Sequence, residues 1–593
     1  MKKEEENLEI MRHSAEHVLT QAILGLFPGI KMAMGPATAE GFYFDFDPGE
    51  IKISESDFPN IEGEIKRIIK ANLPIRKEEI SVEEARKLFK ENQYKQEWLD
   101  GIGRRGEKAT IYWTGGEFVD LCAGPHVEST GKIGPFKLLS IAGAYWHGDE
   151  KNKMLTRIYG TCFPTQKELD YYLWQQEEAK KRDHRKLNQS LKLYFLSDEL
   201  GQGLATLLPN GAIIAEELEK WAKETEKKWG YDRVLTPHIA SENIFKISGH
   251  VPYYLESMYP PMHMAEKEQA EKDDYYLKPM NCAGHHLVFK SEPRSYRDLP
   301  LRIAEYGAVY RYEKAGELHG IMRIRGPIHQ NDAHIFCAED QAEEEFKNVM
   351  ELHKYYYEKL GLTEKDYYLS FAIRDPKNKK KYLGNDEIWE KAESIALKYI
   401  KRTKIPYEIE LGGAAFYGPK IDFNIKTVTG KVFSASTNQL DFFLPRAFGL
   451  KYTDKDGKEK VPVCIHRAPL GAHVRFVAFL TEHFAGAFPV WLAPVQSMVI
   501  PIADRHVNYA QSVSAKLQGQ EIRAELDNRD ETTSAKIRDA EMQKIPYIVV
   551  VGDREIKANS VNIRVRGEKV LGEMSLEKFT NLIKEDIATK RQI

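Results

Sequence analysis

The sequence has few cysteines and no long apolar run, and these two absences narrow the class of protein. Five cysteines are scattered over 593 residues, too few for a disulfide framework, which favours the reducing environment of the cytosol. No stretch approaches about 18 consecutive apolar residues, so we expect no membrane span. The first residues are charged and lack the apolar segment of a secretory signal.

A strong excess of one charge is also lacking. The net charge of −3 gives no overall nucleic-acid signature, although local basic faces of a large protein can still bind RNA. The sequence contains neither a GxxxxGK[ST] P-loop nor a Rossmann GxGxxG motif. A bound nucleotide would therefore have to be held by other means.

The length predicts three to five domains. Residues 167–191 are charged, lack Gly and Pro, and space their apolar residues like one helix that connects two domains. A boundary is expected at 491–494. Beyond it, strand and helix patterns alternate, which predicts a small α/β unit with a parallel sheet.

Two imidazoles near the start of the chain are spaced for one face of a helix. His13 and His17 lie one helical turn apart. Far downstream, Cys122 and His126 supply a thiol and a third imidazole around a Gly-Pro turn, just after Asp120. Such groups could bind zinc, or they could orient a water and a ribose hydroxyl for ester hydrolysis. An HxxxH pair alone is often incidental, so the downstream segment is what favours a functional site.

A second set combines one thiol with two imidazoles. Cys282, His334 and His466 each lie in an apolar segment. Two imidazoles and a thiolate can form a three-ligand zinc site whose fourth position is open for water or substrate. They could equally be separate core residues, because nothing in their spacing brings them together.

Arginines cluster in the middle of the chain. Arg311 is followed, across a glycine-bearing turn at 315–320, by Arg323 and another arginine, and we expect strand, turn and strand with facing arginines. Guanidinium groups bind phosphates bidentately, so the row suits a polyphosphate clamp. Glu313 could accept from an adenine amino group, and Arg475 could reach the phosphates from another segment. A solvated salt-bridge ladder on a hairpin is the competing interpretation.

These segments resemble the threonyl-tRNA synthetase family over essentially the whole chain. Residues 230–237 are similar to class II motif 1, the dimer-forming segment, residues 302–325 to motif 2, and residues 466–475 to motif 3. The thiol and imidazoles of the second set match the three zinc ligands that separate threonyl from prolyl, histidyl and glycyl enzymes.

The resemblance implies that zinc takes the amino group and the hydroxyl of threonine, so that valine is rejected. Serine lacks only a methyl group, which is worth roughly 1–3 kcal/mol of discrimination. A second site that hydrolyses seryl ester on the tRNA is therefore needed.

By the same resemblance, the site residues divide by task. The ATP-binding residues are Arg311, Glu313, Arg323 and Arg475. The catalytic residues are Arg311, Arg475 and His250, the last near the terminal ribose. The threonine-binding residues are Met280, Gln330, Asp332, Tyr417, Lys420 and Gln439. The zinc ligands are Cys282, His334 and His466. The editing residues are His13, His17, Asp120, Cys122 and His126. The anticodon residues are Asn528, Glu555 and Arg564.

The implied architecture is an α+β multidomain protein. It has an editing domain (1–166), a linker helix (167–191), a class II catalytic domain built on an antiparallel sheet (192–489) and an α/β anticodon-binding domain (490–593). The implied partners are ATP with Mg²⁺, L-threonine and tRNA(Thr). One Zn²⁺ per subunit, a homodimer and a cytoplasmic location are also expected.

Several positions depart from the family pattern. The ubiquitin-like domain that often precedes the editing domain is expected to be absent, because the HxxxH pair begins at residue 13. Val474 replaces an acidic residue, Ser434 replaces a glutamine, and Ala283 replaces a common proline. The segment 326–330, expected to be a loop, is one residue longer than usual.

Two other classes of function compete with this interpretation. One is a non-catalytic RNA-binding regulator on a synthetase fold, against which the retained arginines and zinc ligands argue. The other is a stand-alone deacylase in which only editing survives.

Overall fold

The structure is a computed structural model that describes residues 2–263, 274–567 and 569–592. The chain divides into two compact units, Met1–Glu177 and Glu178–Ile593, and each is described by itself. Within the described ranges, no helix is long and apolar enough to cross a membrane.

The first unit contains two antiparallel sheets. Its helices are α1 (Lys2–Leu26), α2 (Phe58–Lys70), α3 (Val82–Leu88) and α4 (Gln93–Arg104), and α5 (Gln166–Arg182) continues into the second unit. Its strands are β1 (Lys31–Met34), β2 (Phe42–Asp47), β3 (Ile75–Ile80), β4 (Ala109–Thr114), β5 (Phe118–Leu121), β6 (Phe136–Tyr145) and β7 (Met154–Cys162). The strand orders are β1-β2-β7-β6 and β3-β4-β5.

An apolar core holds α1 in place in this unit. The alternating aromatics of β2, Phe42, Phe44 and Phe46, are all buried, as expected for side chains of period two on one face of a sheet. Val18 and Leu19 of α1 are fully buried in the same core. The histidines one turn apart on α1 are therefore carried by a fixed helix.

The second unit continues with short helices and a large sheet. Its helices before residue 490 are α6 (His184–Leu191), α7 (Pro209–Lys228), α8 (Glu242–Ile247), α9 (His250–Tyr253), α10 (Cys282–Lys290), α11 (Ala342–Lys359), α12 (Asp386–Thr403), α13 (Leu444–Ala447) and α14 (His473–His483). The strands are β8 (Tyr194–Leu196), β9 (Ala205–Leu207), β10 (Asp232–Arg233), β11 (Ile239–Ser241), β12 (Tyr275–Leu277), β13 (Leu301–Arg311), β14 (Gly326–Cys337), β15 (Tyr367–Ile373), β16 (Tyr407–Leu411), β17 (Lys420–Lys426), β18 (Val432–Asp441), β19 (Tyr452–Thr453), β20 (Glu459–Lys460) and β21 (Val463–Ala468).

The sequence predicts one linker helix over residues 167–191, but this segment forms two helices. α5 ends at Arg182, and Asp183 caps α6 by accepting a hydrogen bond from the Arg185 N–H at 2.8 Å. Aspartate is a favoured N-cap because its carboxylate accepts from the free N–H groups of the first turn.

The large sheet has the order β10-β13-β14-β21-β18-β17-β15-β16 and is mostly antiparallel, with parallel pairs only at its two edges. Its register places His334 of β14 directly opposite His466 of β21. Gln439 of β18 lies opposite His466 on the other side. Neighbouring strands thus bring together side chains that are more than 100 residues apart in sequence.

The last part of the chain has its own sheet. Its elements are β22 (Ser497–Pro501), α15 (Val507–Gln518), β23 (Ala524–Leu526), α16 (Thr533–Met542), β24 (Tyr547–Val551), α17 (Asp553–Ala558), β25 (Ser560–Val565), β26 (Lys569–Ser575) and α18 (Leu576–Thr589). The first three strands are parallel as predicted. Two further strands, which were not predicted, pair antiparallel, so the sheet is mixed. Only a short turn separates β25 from β26, which suits an antiparallel pair.

Candidate functional site

Cys282, His334 and His466, hereafter the core cluster, converge as the resemblance implies. One ligand atom from each side chain lies within 4.8 Å of the others, and all three residues are buried. The Cys282 Sγ is 3.5 Å from the His466 Nδ1, and the rings of His334 and His466 are 4.4 Å apart. The strand register supplies the two imidazoles, and the first residue of α10 supplies the thiol.

Each imidazole of the core cluster forms a hydrogen bond through the nitrogen that faces away from the cluster centre. His466 Nε2 bonds to Asp441 Oδ2 at 2.9 Å, and His334 Nδ1 bonds to His285 Nδ1 at 2.8 Å. His285 Nε2 in turn bonds to Glu305. Among the described residues, His334 Nε2 has no hydrogen-bond partner although it is buried.

Burial favours the neutral form of two members of the core cluster. It lowers the pKa of His334 well below its ordinary value, and it raises the pKa of the Cys282 thiol well above its ordinary value. A metal ion would have to displace the thiol proton on binding, as metal ions do at cysteine sites.

Cys282 and His466 of the core cluster line a pocket of about 880 Å³. The six predicted threonine-binding residues all line it, and they are Met280, Gln330, Asp332, Tyr417, Lys420 and Gln439. The Tyr417 hydroxyl donates to Gln439, and its ring stacks on His466 with centroids 5.0 Å apart. Asn281 Nδ2 donates to Asp332 Oδ2 at 3.0 Å. Burial raises the pKa of that aspartate, and the Asn281 bond opposes the shift.

The predicted ATP residues line the same pocket. They are Arg311, Glu313, Arg323 and Arg475. Arg323 holds Glu313 through bonds of 3.0 and 2.8 Å, so neither is free in this state. The Arg475 guanidinium lies 4.8 Å from the centre of the Phe433 ring, and burial lowers its pKa. Glu313 therefore forms an ion pair with Arg323, as the competing salt-bridge interpretation of this hairpin predicted.

Two details of the arginine hairpin differ from the prediction. Ile321–Arg325 is not a strand, because the second strand begins only at Gly326, and Arg323 lies in the connecting loop. The segment 326–330 is not a loop, since it pairs one-to-one with β13 from Gly307 to Arg311 without a bulge. A glycine is needed at position 307, where a Cβ would lie 2.5 Å from the Asn281 side-chain oxygen.

Two family departures also lie at this pocket. Ser434 and Val474 both line it. The Ser434 hydroxyl donates to Asn424 Oδ1 at 2.5 Å, next to a β-bulge. This side chain is thus bound to the neighbouring strand.

The predicted catalytic residue His250 is fully buried beside the pocket. Of the described residues, it is not one of those that form the pocket wall. Its Nδ1 bonds to Ser248 Oγ at 2.8 Å, while Phe416, which lines the pocket, packs against its ring. Burial, assisted by the charge of Arg311, lowers the pKa of His250 to about 3.

His13, His17, Cys122 and His126, hereafter the N-terminal cluster, also converge within 4.8 Å. The thiol is the centre, because Cys122 Sγ lies 3.2 Å from His13 Nε2 and 3.3 Å from His126 Nε2. Asp120 lies 3.9 Å from His17 and forms a buried ion pair with Lys95 at 2.5 Å.

The N-terminal cluster is also neutral. Burial lowers the pKa of each of its histidines. Burial raises the pKa of the Cys122 thiol to about 12. Neutral imidazoles can accept protons, so the arrangement suits general base catalysis or metal binding.

The three predicted anticodon residues are in different environments. Asn528 is exposed, and Arg564 is half-buried on β25. Glu555 is buried, and its carboxylate accepts the Gly552 N–H at 2.9 Å, which caps α17. That capping role alone accounts for an acidic residue at this position.

No local sequence pattern identifies the residues that support the two clusters. Lys95, His285, Glu305 and Asp441 were not predicted, because they act only through contacts made by the fold. A buried Lys is rare unless it is paired, but burial cannot be seen in the pattern around Lys95.

Three family descriptions match parts of the chain. Residues 264–484 match "tRNA synthetase class II core domain (G, H, P, S and T)", and residues 496–586 match "Anticodon binding domain". Residues 109–159 match "Threonyl and Alanyl tRNA synthetase second additional domain". The first match contains the core cluster, and the third contains two members of the N-terminal cluster.

Solved structures share part of the fold. The RNA binding domain of threonyl-tRNA synthetase from Cryptosporidium parvum Iowa II is 33% identical, with a TM-score of 0.63, over 68% of this chain and 98% of that one. A putative threonyl-tRNA synthetase from Aeropyrum pernix is 27% identical, with a TM-score of 0.61, over 69% of this chain and 96% of that one.

Relatives in sequence match almost the whole chain. The threonine–tRNA ligase of Staphylococcus carnosus is 46% identical over 99% of this chain and 89% of its own length. That of Dehalococcoides mccartyi is 46% identical over 98% and 97%, and that of Geobacillus kaustophilus is 47% identical over 99% and 88%. Identity at this level over nearly both full lengths, with the class II core and both clusters in place, means that the chain belongs to the threonine–tRNA ligase family.

Proposed function

We propose that this chain is a threonine–tRNA ligase, which activates L-threonine with ATP and transfers it to the 3′ end of tRNA(Thr). At a separate site it hydrolyses seryl-tRNA(Thr) that was charged in error. The observation that carries the amino-acid specificity is the core cluster, one thiol and two imidazoles buried at the pocket that also contains the arginines.

The donor atoms of the core cluster fit a zinc ion. One sulfur and two nitrogens match the ligands of a catalytic zinc site, which keeps one position open. The buried His334 Nε2 lacks a partner among the described residues, and such an orphan is costly unless a ligand completes it. Cys282, His334 and His466 would hold the ion, which would supply direct binding of the threonine amino group and hydroxyl.

Residues around the core cluster orient the amino acid. Asp332 offers a buried carboxylate to an ammonium group, and Gln439, fixed by Tyr417, offers an amide beside His466. Valine is nearly the same size as threonine but leaves these polar groups without a partner, a strong ground for rejection. Serine satisfies them and loses only the contacts of one methyl group.

The arginines orient ATP. Arg311 and Arg475 approach the pocket from β13 and α14 and would hold the α- and γ-phosphates, with Mg²⁺ bridging the phosphates. Arg323 is bound to Glu313, so a nucleotide that uses either group must exchange that ion pair for its own contacts.

The N-terminal cluster would perform the hydrolysis. Its neutral imidazoles can remove a proton from an attacking water, and the His13 and His126 nitrogens both lie near the thiol. Lys95 holds Asp120 in place beside His17.

The remaining proposals concern partners and location. Exposed apolar side chains at and near the segment similar to motif 1, Leu235, Ile239 and Leu287, suit a homodimer contact. Asn528 and Arg564 are proposed to contact the anticodon, and the buried Glu555 to hold the start of α17. All five cysteines are free, in keeping with a cytoplasmic location.

Amino-acid-dependent ATP–pyrophosphate exchange tests the proposal. With metallated protein, we expect exchange with threonine, weaker exchange with serine and none above background with valine. Metal content is measured on the same sample, and one zinc per chain is expected. No exchange with threonine by fully metallated protein would refute the proposed function.

A further inference from the structure

We propose that Glu305, acting through His285, is the positioning residue that fixes which nitrogen of His334 faces the zinc ion. This inference rests on the proposed metal site and deepens it. It assigns a task to two buried residues that do not themselves bind the ion.

Hydrogen bonds connect five residues into one chain that ends at His334. Lys278 Nζ and the Thr236 N–H both donate to Glu305 Oε1, at 3.1 and 3.0 Å. The Thr236 hydroxyl donates to Glu305 Oε2 at 2.8 Å. His285 Nε2 lies 3.0 Å from Glu305 Oε2, and His285 Nδ1 lies 2.8 Å from His334 Nδ1.

Glu305 determines which atom donates in each of these hydrogen bonds. Glu305 is ion-paired with Lys278 and accepts all its other bonds, so His285 Nε2 must donate to it. A neutral His285 then has its lone pair on Nδ1. His334 Nδ1 must therefore carry the hydrogen that lies between the two rings. The lone pair of His334 is left on Nε2, the buried nitrogen without a partner among the residues described.

His466, the other imidazole of the core cluster, carries its hydrogen on the opposite nitrogen, Nε2. His466 Nε2 donates to Asp441, whose second oxygen accepts the N–H groups of Phe443 and Leu444 at 2.7 and 3.0 Å. The His466 lone pair is thus on Nδ1, which faces the Cys282 sulfur. The two histidines offer different nitrogens to one ion, and a separate carboxylate selects each nitrogen.

Such outer partners set metal affinity. Their replacement typically weakens binding about 10- to 100-fold, because the ligand loses its orientation and its correct tautomer. The effect acts on the metal equilibrium itself, so it can be measured without substrate and without catalysis.

Two substitutions of His285 separate the tautomer role from simple packing. In His285→Asn, the side-chain oxygen lies near the former Nδ1 and can still accept from His334. In His285→Gln, the amide lies near the former Nε2 and can still donate to Glu305, but no acceptor remains for His334. His353→Asn is the matched control, because this histidine is also buried, bonds through Nδ1 to Ser436 and lies outside the core cluster.

Zinc affinity is measured on the full chain by competition with a chelator, and the visible absorption of Co²⁺-substituted protein reports the ligand geometry. We expect His353→Asn to match the unaltered protein and His285→Asn to stay within about tenfold of it. His285→Gln should bind zinc about 10- to 100-fold more weakly and change the Co²⁺ spectrum. Glu305→Gln, whose amide no longer fixes the His285 tautomer, should shift the spectrum in the same direction.

The outcomes separate this inference from the metal site. If the unaltered protein binds no zinc, both the metal site and the inference are overturned. If it binds zinc but His285→Asn and His285→Gln have equal affinities, the metal site stands and the inference is overturned. Circular dichroism identifies a variant that fails to fold, and Glu305→Gln then decides, with an unchanged Co²⁺ spectrum counting against the inference.

Discussion

The core cluster and the N-terminal cluster are built from the same two kinds of side chain, yet their hydrogen bonds are arranged differently. In the core cluster, nitrogens that face away from the centre bond to Asp441 and to the pair His285–Glu305. In the N-terminal cluster, His13, His126 and the Gly124 N–H all approach the Cys122 sulfur, and the other nitrogen of His126 bonds to Ser14 Oγ at 3.2 Å.

This difference explains how one kind of residue set can serve two chemistries. Outward bonds leave lone pairs aimed at the centre, where a metal ion can use them. The contacts to the Cys122 sulfur connect it to imidazoles that can pass a proton on. The comparison predicts a metal function for the core cluster and an acid–base function for the N-terminal cluster.

The largest effects are expected when the thiol of each cluster is removed in turn, and these two variants test the different functions of the clusters most directly. Cys282→Ala should lose zinc and at least about 100-fold of threonine-dependent ATP exchange, since a direct ligand matters more than its outer partner. Cys122→Ala should keep both zinc and exchange. Zinc analysis and hydrolysis of seryl-tRNA complete the measurement, and Cys282→Ala should hydrolyse normally.

The reverse pattern of losses would contradict the assignment of the two clusters. If Cys122→Ala also lost one equivalent of zinc, the N-terminal cluster would be a second metal site, and the distinction by hydrogen-bond arrangement would fail.

A second substitution tests whether activation and hydrolysis are separate. Arg311→Ala should lower ATP–pyrophosphate exchange about 10²- to 10³-fold, because it removes a fixed charge from the developing phosphate charge. Hydrolysis of seryl-tRNA should persist at its former rate. Arg297→Ala, an exposed arginine outside the pocket, is the control and should leave both activities intact. Loss of both activities in Arg311→Ala would mean that the two sites are not independent.

The buried pair Lys95–Asp120 gives a prediction about stability. Lys95→Met should destabilise the first unit by about 3–5 kcal/mol, because it leaves a buried carboxylate without its partner. The matched control is Lys77→Met, whose lysine pairs with Glu79 at 2.8 Å with both side chains exposed, and it should leave the stability of the unit nearly unchanged. Hydrogen–deuterium exchange of α4 and β5 in the full chain measures both. Equal protection in the two variants would contradict the argument.

Much of the fold could be predicted from local pattern. After the boundary at 491–494, strands and helices alternate as their local patterns predict. The errors have physical causes. One aspartate capped a new helix at 183, and antiparallel pairing of β25 and β26 depends on contacts that a strand pattern does not encode.

The candidate site could be predicted from the residues alone less completely than the fold. Chemistry identified Cys282, His334 and His466 as suitable ligands, but their convergence depends on the register of β14 and β21, which local pattern does not fix. Family resemblance supplied that missing step. It did not supply Lys95 or His285, whose importance lies in burial and in the direction of their hydrogen bonds.

The smallest expected effect concerns the pH dependence of seryl-tRNA hydrolysis. It tests whether the histidines of the N-terminal cluster act as proton acceptors. Burial lowers the pKa values of its histidines, so they should keep the neutral, proton-accepting form at lower pH than an exposed imidazole. With an ordinary pKa of about 6.5, an exposed imidazole would be roughly three-quarters protonated at pH 6. We therefore expect the single-turnover rate of seryl-tRNA hydrolysis to fall less than about twofold from pH 8 to pH 6, where an ordinary imidazole would lose about fourfold. A steady tenfold fall per pH unit would instead indicate attack by hydroxide, and the acid–base function assigned to this cluster would be wrong.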